Sequence, residues 1–413
     1  MAIKQESRRF AAFIMEKTTL SRRVNSLAES QTIGMSKLSR ELSSQGIDVI
    51  NLSLGEPDFI TPEHIRIAAK KAIDEGYTHY PPIAGYAELR KAISVKFKRE
   101  NNLDYEPSQV IVSTGAKQSI ANVVLSLVDP GDEVIIPMPY WVSYIEIVKL
   151  AEGETVSINT TIESDFKMTP AQLEAAITPK TKMLIFSSPC NPTGTVYTRD
   201  ELKAFADVLA KHPRVFVMSD EIYEHINFLD KHESIAQFDN IKDRVIIVNG
   251  VSKGYAMTGW RIGYIGAPKY IADACDKMQG QFTSAASSIA QKAAEVALGA
   301  DIGPTLEMQK AFRRRRDLVL NLMKDIPGWI INEPKGAFYV FPDVHSYFGK
   351  KDGDTVIENA TDLCMYLLHK GHVSLVTGDA FGDPNCVRFS YATSDDKLVE
   401  AIRRIKEALA KLR

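Results

Sequence analysis

Cysteine is scarce. Cys190, Cys275, Cys364 and Cys386 lie far apart, form no C-x-x-C pair and match no zinc-ligand spacing. A disulfide scaffold and a metal module are thereby set aside, and a reducing cytoplasm becomes the expected setting. Also missing is any run of about twenty apolar residues, the length a membrane-spanning helix needs, so no membrane partner is expected. Charge of neither sign prevails: 50 Lys and Arg stand against 52 Asp and Glu, a formal net charge of -2. That field is too weak to gather nucleic acid or anionic lipid, which leaves small-molecule chemistry. The chain offers neither a G-x-G-x-x-G fingerprint after a strand nor a G-x-x-x-x-G-K-[ST] loop, the marks of a nucleotide-binding α/β enzyme. Internal repeats, low-complexity tracts and Pro/Gly/Ser linkers are absent as well, so the domains should pack closely.

What is present is an ordinary folding composition, 45% hydrophobic and 25% charged over 413 residues, enough for one large domain and one smaller. Short apolar runs at 110–112, 134–136, 183–186, 215–218 and 245–248 suit strands buried on both faces, as in a mostly parallel sheet covered by helices. Helical patterns lie between several of them: Ala116, Ile120, Val123, Val124 and Leu127 share a face, and Asp129-Pro130-Gly131 supplies the stop. This alternation is the α/β pattern. After Gly303 the rhythm changes to a long Arg-rich helix at 305–324, then strands at 338–341 and 387–391, and a closing amphipathic helix through Ile402, Ile405, Leu409 and Leu412. The chain thus divides into a tail at 1–19, with Met15 as a candidate second start, and a segment at 20–57 that contributes to the small domain. A large domain at 58–303 and a small α+β domain at 304–413 follow. Within the long helix, Arg313, Arg314, Arg315 and Arg316 read as a solvated face.

In open α/β sheets, ligands gather beyond the C-terminal ends of the strands, and four of the runs end in reactive residues. The run at 183–186 leads into Ser187-Ser188-Pro189-Cys190-Asn191-Pro192-Thr193-Gly194, and the run at 215–218 into Ser219-Asp220-Glu221-Ile222-Tyr223. The run at 245–248 leads into Gly250-Val251-Ser252-Lys253-Gly254 and on to Thr258-Gly259-Trp260-Arg261; the run at 110–112 ends in Ser113-Thr114-Gly115-Ala116-Lys117. Together these groups answer what pyridoxal 5′-phosphate requires. An amine forms an imine with the aldehyde, helped by desolvation or a nearby cation. A carboxylate pairs with the pyridinium nitrogen. A phenol and an amide bond the ring oxygen, and a helix N-terminus with Ser and Arg holds the phosphate.

These motifs, together with Asn51-Leu-Ser-Leu-Gly-Glu-Pro-Asp-Phe59, Tyr80-Pro-Pro-Ile-Ala-Gly-Tyr-Ala-Glu-Leu-Arg90, Pro139-Tyr-Trp-Val-Ser-Tyr144, Gly336-Ala-Phe-Tyr339 and Val387-Arg-Phe-Ser-Tyr-Ala-Thr-Ser394, resemble the class I and II aminotransferases. The likeness runs from about Leu20 to the C-terminus and is strongest to the bacterial aspartate aminotransferase branch. It implies fold type I: a large domain with a mostly parallel, helix-covered sheet and a smaller α+β domain. It makes Lys253 the Schiff-base lysine and proton shuttle, Asp220 the partner of the ring nitrogen, Tyr223 and Asn191 the groups on the ring oxygen, and Trp141 the stacking aromatic. Gly115, Ala116, Ser252 and Arg261 become the phosphate cradle, helped by Tyr80 from the second subunit of a homodimer. Arg388 would grip the substrate α-carboxylate, with the backbone at Gly55 closing over it. In the same branch a lysine in the Gly-x-Lys position of Lys117 is associated with a distal carboxylate. That implies aspartate as the amino acid, exchanging with 2-oxoglutarate in a ping-pong reaction.

Taken singly, each residue has an ordinary reading. Lys253 alone is a solvated lysine, Asp220 a helix N-cap, Asn191-Pro-Thr-Gly a turn, and Arg388 one half of a structural ion pair. Trp141 and Tyr223 alone are core aromatics, and Lys117 is a phosphate contact or surface lysine. Only the combination points to the chemistry. Prephenate, aromatic or alanine-type aminotransferases and a carbon–sulfur lyase would use the same apparatus. A non-enzymatic ligand sensor would need a fused DNA-binding domain, and no basic helix-turn-helix pattern precedes Leu20.

Overall fold

The computed structural model describes residues 19–413; the expected tail, Met15 included, lies outside the described residues apart from Thr19. After a short first strand, β1 (Ile50–Asn51), seven strands build one sheet: β2 (Val110–Ser113), β3 (Glu133–Pro137), β4 (Glu154–Ile158), β5 (Thr181–Ser187), β6 (Phe216–Asp220), β7 (Val245–Gly250) and β8 (Gly263–Gly266). Their spatial order is β2-β8-β7-β6-β5-β3-β4, and β8 runs antiparallel between β2 and β7 while the other pairings are parallel. Successive side chains on a strand point to opposite faces. Leu184, Val217, Val245 and Ile247 therefore pack with Leu202, Phe205 and Leu209 of the helix Arg199–Ala210. Met183, Ile185, Met218 and Ile246 meet Ile120, Val123 and Val124 of the helix Ala116–Leu127 on the other face. Burial on both sides is why these strands read as unbroken apolar runs.

Two strands of this sheet left no such run. β4 is an edge strand, half exposed, with Thr155 and Ser157 among its five residues. β8 is four residues long with glycine at both ends. A Cβ on Gly263 would lie 2.1 Å from the backbone nitrogen of Ala116, so the strand passes the start of the helix Ala116–Leu127 only because it lacks a side chain there. Gly263 pairs with Ser113 on one side and Gly250 on the other, and Ser187 lies opposite Asp220. The loops after β2, β5, β6 and β7 thus emerge at one edge.

Beyond the helix Gly303–Met323 come β9 (Tyr339–Val340), the hairpin of β10 (Lys351–Asp352) and β11 (Thr355–Val356), then β12 (Val373–Ser374), β13 (Val376–Thr377) and β14 (Val387–Ser390). β13, β14 and β9 form an antiparallel sheet, and β1 pairs in parallel with β12. The helix Asp395–Leu409 buries Leu398, Ile402, Ile405 and Leu409 in a core shared with Phe312, Val319 and Met323 of the long helix.

The arginine run on that long helix is only in part the solvated face expected. Arg313 and Arg314 are exposed, but Arg315 is buried and Arg316 is half-buried. Arg315 forks onto Asp58 with Nη1 at 2.7 Å and Nη2 at 2.9 Å, and Arg316 donates to the Pro334 carbonyl at 3.1 Å. Consecutive helical residues are turned by about 100°, so four in a row sweep most of the circumference and cannot share one face.

Candidate active site

The C-terminal edge of the large sheet opens into a cavity of about 380 Å³. Its wall brings together Gly55, Ala116, Lys117, Trp141, Asn191, Asp220, Tyr223, Ser252, Lys253, Arg261 and Arg388. Gly115 stands just behind, where a Cβ would lie 2.4 Å from Arg261 Nη2. Tyr80 is not in this wall; it is 97% exposed.

Lys253 follows β7, and its Nζ donates to the Gly55 carbonyl at 2.5 Å. Burial pushes this amine down to about 8, with Glu56 and Asp220 opposing and the cations Arg388 and Arg261 reinforcing the shift. Such an amine is partly unprotonated near neutrality and therefore nucleophilic. Asp220 closes β6 and accepts hydrogen bonds from Tyr144 Oη at 2.7 Å and the Ile222 N–H at 3.2 Å. Burial nevertheless raises its carboxyl to about 6, outweighing these hydrogen bonds and the pull of the Lys253 ammonium.

At another side of the cavity, Gly115, with φ at +83°, caps the helix Ala116–Leu127, whose first N–H groups carry partial positive charge. Arg261 holds a left-handed backbone, φ +58°, and donates from Nη1 to the Thr258 carbonyl at 2.9 Å. Ser252 is buried in the same wall. Helix amides, a hydroxyl and a guanidinium make an anion site. Lys117 sits at the mouth with its ammonium 5.0 Å from the Trp141 ring; burial, then the neighbouring Arg261, lowers its pKa.

Arg388 lies on β14 and is 2% exposed. Its Nη1 donates to Asn191 Oδ1 at 2.9 Å and its Nη2 to the Ser53 carbonyl at 2.6 Å, while its buried Nε has no partner. The Tyr339 and Phe381 rings lie 4.6 and 4.9 Å from the guanidinium. Both hydrogen-bonded partners are neutral, so a buried cation stands ready for an anion; desolvation accordingly lowers its pKa.

Sequence reasoning missed several members of this arrangement. Tyr144 orients Asp220, and Tyr339 shares a 2.8 Å hydrogen bond with Tyr223; both stand in motifs noted above, Tyr144 on the helix Ser143–Leu150 beyond β3 and Tyr339 within β9. Thr32, Ser36 and Arg40 of the helix Gln31–Ser44 line the mouth. Behind the turn carrying Asp220 and Tyr223, Glu224 pairs with the fully buried Lys96 and accepts from Asn249 Nδ2 at 2.8 Å. Nothing in the sequence around Lys96 separates it from a solvated helix lysine.

Fold and cavity together define a protein that presents a lysine amine between an anion site and a buried acid. The model of the family described as aminotransferase class I and II matches residues 47–405, and the chain belongs to that family. It is 50% identical over 400 residues to a bifunctional aspartate aminotransferase and glutamate/aspartate-prephenate aminotransferase of Petunia hybrida, covering 96% of this chain and 84% of the relative. It is 45% identical over 397 residues to an aspartate/prephenate aminotransferase of Nitrosomonas europaea, covering 95% and 100%. The crystal structure of the aspartate aminotransferase from Rhizobium meliloti superposes with a TM-score of 0.92 at 43% identity, covering 95% and 99%. That of Thermus thermophilus with maleate does so with 0.88 at 40%, covering 94% and 99%.

The family depends on pyridoxal 5′-phosphate, and the residues present fit it. The space a Gly115 side chain would fill is what lets Arg261 approach the helix start, and the charges around the cavity match a phosphate, a ring nitrogen and a carbonyl.

Proposed function

We propose that this chain is an aspartate:2-oxoglutarate aminotransferase, acting as a cytoplasmic homodimer with shared active sites. The observation that carries the reading is the convergence of Lys253, Asp220, Arg261 and Arg388 on one cavity with Lys117 at its mouth. When bound, pyridoxal 5′-phosphate supplies an aldehyde and an electron-withdrawing ring that stabilises charge at the substrate Cα. Gly115, Ala116, Ser252 and Arg261 would bind the phosphate. Asp220, oriented by Tyr144, would offer its carboxylate to the ring nitrogen, where a cation would restore the charge that burial disfavours. Tyr223 and Asn191 would hold the ring oxygen and Trp141 would cover the ring face. Lys253 Nζ would hold the aldehyde carbon and, once released, would carry the proton taken from the substrate Cα to that same carbon, a task suited to an amine near neutral pKa. Arg388 binds the α-carboxylate through its planar fork, steadied by Asn191, with the backbone at Gly55 closing over the same group.

Lys117 is assigned the second carboxylate of aspartate, glutamate and their 2-oxo acids. The relatives named for aspartate, and the Thermus thermophilus structure holding the dicarboxylate maleate, support this. Relatives named for prephenate at 45% and 50% identity support that compound as a second substrate; it also carries two carboxylates. Replacing Lys117 with Ala should raise KM for aspartate about tenfold or more and leave alanine and phenylalanine near their wild-type values. Equal loss for all amino acids would refute the assignment.

The homodimer is supported by the exposure of Tyr80, assigned here to the partner's phosphate, and by an open groove beside Arg261 lined by Glu56, Ile60, Thr114 and Ser287. The four unpaired cysteines support the cytoplasmic setting, and among the described residues no helix is long and apolar enough to cross a membrane. The division into a large domain at 58–303 and a small one at 304–413, with 20–57 contributing to the latter, is supported by the pairing of β1 with β12.

A further inference from the structure

Residues 53–59 run past the cavity as an irregular strap without helix or strand. Two of its carbonyls meet the site: Gly55 accepts from Lys253 Nζ at 2.5 Å and Ser53 from Arg388 Nη2 at 2.6 Å. A carbonyl positions an amine only if its own peptide is held, and upstream the hold is a backbone bond from the Leu52 N–H to the Ser374 carbonyl at 3.0 Å. Downstream, side chains take over. Glu56 accepts from Thr258 Oγ1, and Asp58 accepts both Nη atoms of Arg315 at 2.7 and 2.9 Å. A paired fork of this kind fixes orientation as well as distance.

Arg315 is itself immobilised. It is 6% exposed, its guanidinium lies 5.0 Å from the Phe59 ring and 5.7 Å from the Phe312 ring, and its Nε reaches Asp395 Oδ1 at 3.4 Å. The strap therefore follows the helix Gly303–Met323 rather than the reverse. There is little slack, because a Cβ on Gly55 would lie 2.4 Å from Tyr339 Oη. The geometry points to Arg315 as a positioning residue of the reaction: through Asp58 it holds the Gly55 carbonyl on the Lys253 amine and the Ser53 carbonyl on Arg388. This rests on the proposed function, which gives Lys253 and Arg388 their tasks.

The test compares Arg315→Met, which keeps length and apolar packing but removes the fork, with Arg315→Lys and with Arg314→Ala, which removes only the exposed pair to Asp395. In cofactor-free protein, acetylation of Lys253 by acetic anhydride is followed against pH by peptide mass spectrometry. In Arg315→Met its midpoint should rise by about one unit, because a loosened strap admits water to an amine that burial holds down. Of the charges facing that amine, Arg388, Arg261 and Asp220 lie off the strap and are untouched by the substitution, while Glu56 rides on it and counts for less than burial; Arg314→Ala should leave the midpoint where it is. In the loaded enzyme, Arg315→Met should raise KM for aspartate about tenfold with a smaller fall in kcat, Arg315→Lys lying between. Should Arg315→Met not fold, Asp58→Asn carries the test with the same expected directions. An unchanged Lys253 midpoint and an unchanged KM, beside a lowered melting temperature, would overturn the proposal and leave a structural ion pair. Wild-type protein without aminotransferase activity would instead sink the functional reading, and the acetylation series would still decide the role of Arg315.

Discussion

Asp220 is held at the end of β6 in surroundings that favour its neutral form until a cation arrives. Its carboxyl is raised from 3.8 to about 6, chiefly by burial, so in the cofactor-free protein the folded state binds this proton more tightly than the unfolded chain does. That contribution to stability is fully present below about pH 4 and is lost as pH rises through 6. Asp220→Asn should therefore make the cofactor-free protein more stable than wild type by about 3 kcal/mol at pH 8, with no gain near pH 4, while lowering transamination roughly a hundredfold. Urea unfolding of both proteins at the two pH values checks the sign, and equal stability at both would contradict it. At this scale the sequence was informative where a polar group follows a buried strand, which is how Asp220, Lys253 and Asn191 stand out. It was silent on Tyr144, Lys96 and Arg315, because their partners Asp220, Glu224 and Asp58 are 76, 128 and 257 residues away.

Elements bring those groups to one edge, and the contact of β8 with the helix Ala116–Leu127 is the tightest of them. Gly263→Ala should push the helix start away from the cavity, lowering cofactor affinity about tenfold and stability by about 1–3 kcal/mol. Gly259→Ala, where a Cβ meets nothing within 4 Å, should do neither. Titration of the cofactor-free variants with pyridoxal 5′-phosphate, followed by absorbance, separates them, and similar affinities would show that the close approach is tolerated. The doubly buried strands were legible as apolar runs and the long helices as periodic faces. β4, β8 and the two-residue strands other than β9 were not, since an edge strand alternates weakly and two glycines erase the pattern. The arginine run was misjudged because a run of like residues says nothing about which of them a helix turns inward.

For the whole molecule, Tyr80 is the residue one chain leaves without a task, 97% exposed. Light scattering should give twice the chain mass of 45.9 kDa, and Tyr80→Phe should weaken cofactor binding about tenfold without dissociating the subunits; a fully active monomer would contradict both. Lys253 alone among the lysines is expected to meet the cofactor's aldehyde. Borohydride reduction of the loaded enzyme, digestion and mass mapping test it directly. The cofactor mass should appear on the peptide bearing Lys253. Its appearance on another lysine, or on none while pyridoxal 5′-phosphate is bound, would overturn the role of Lys253.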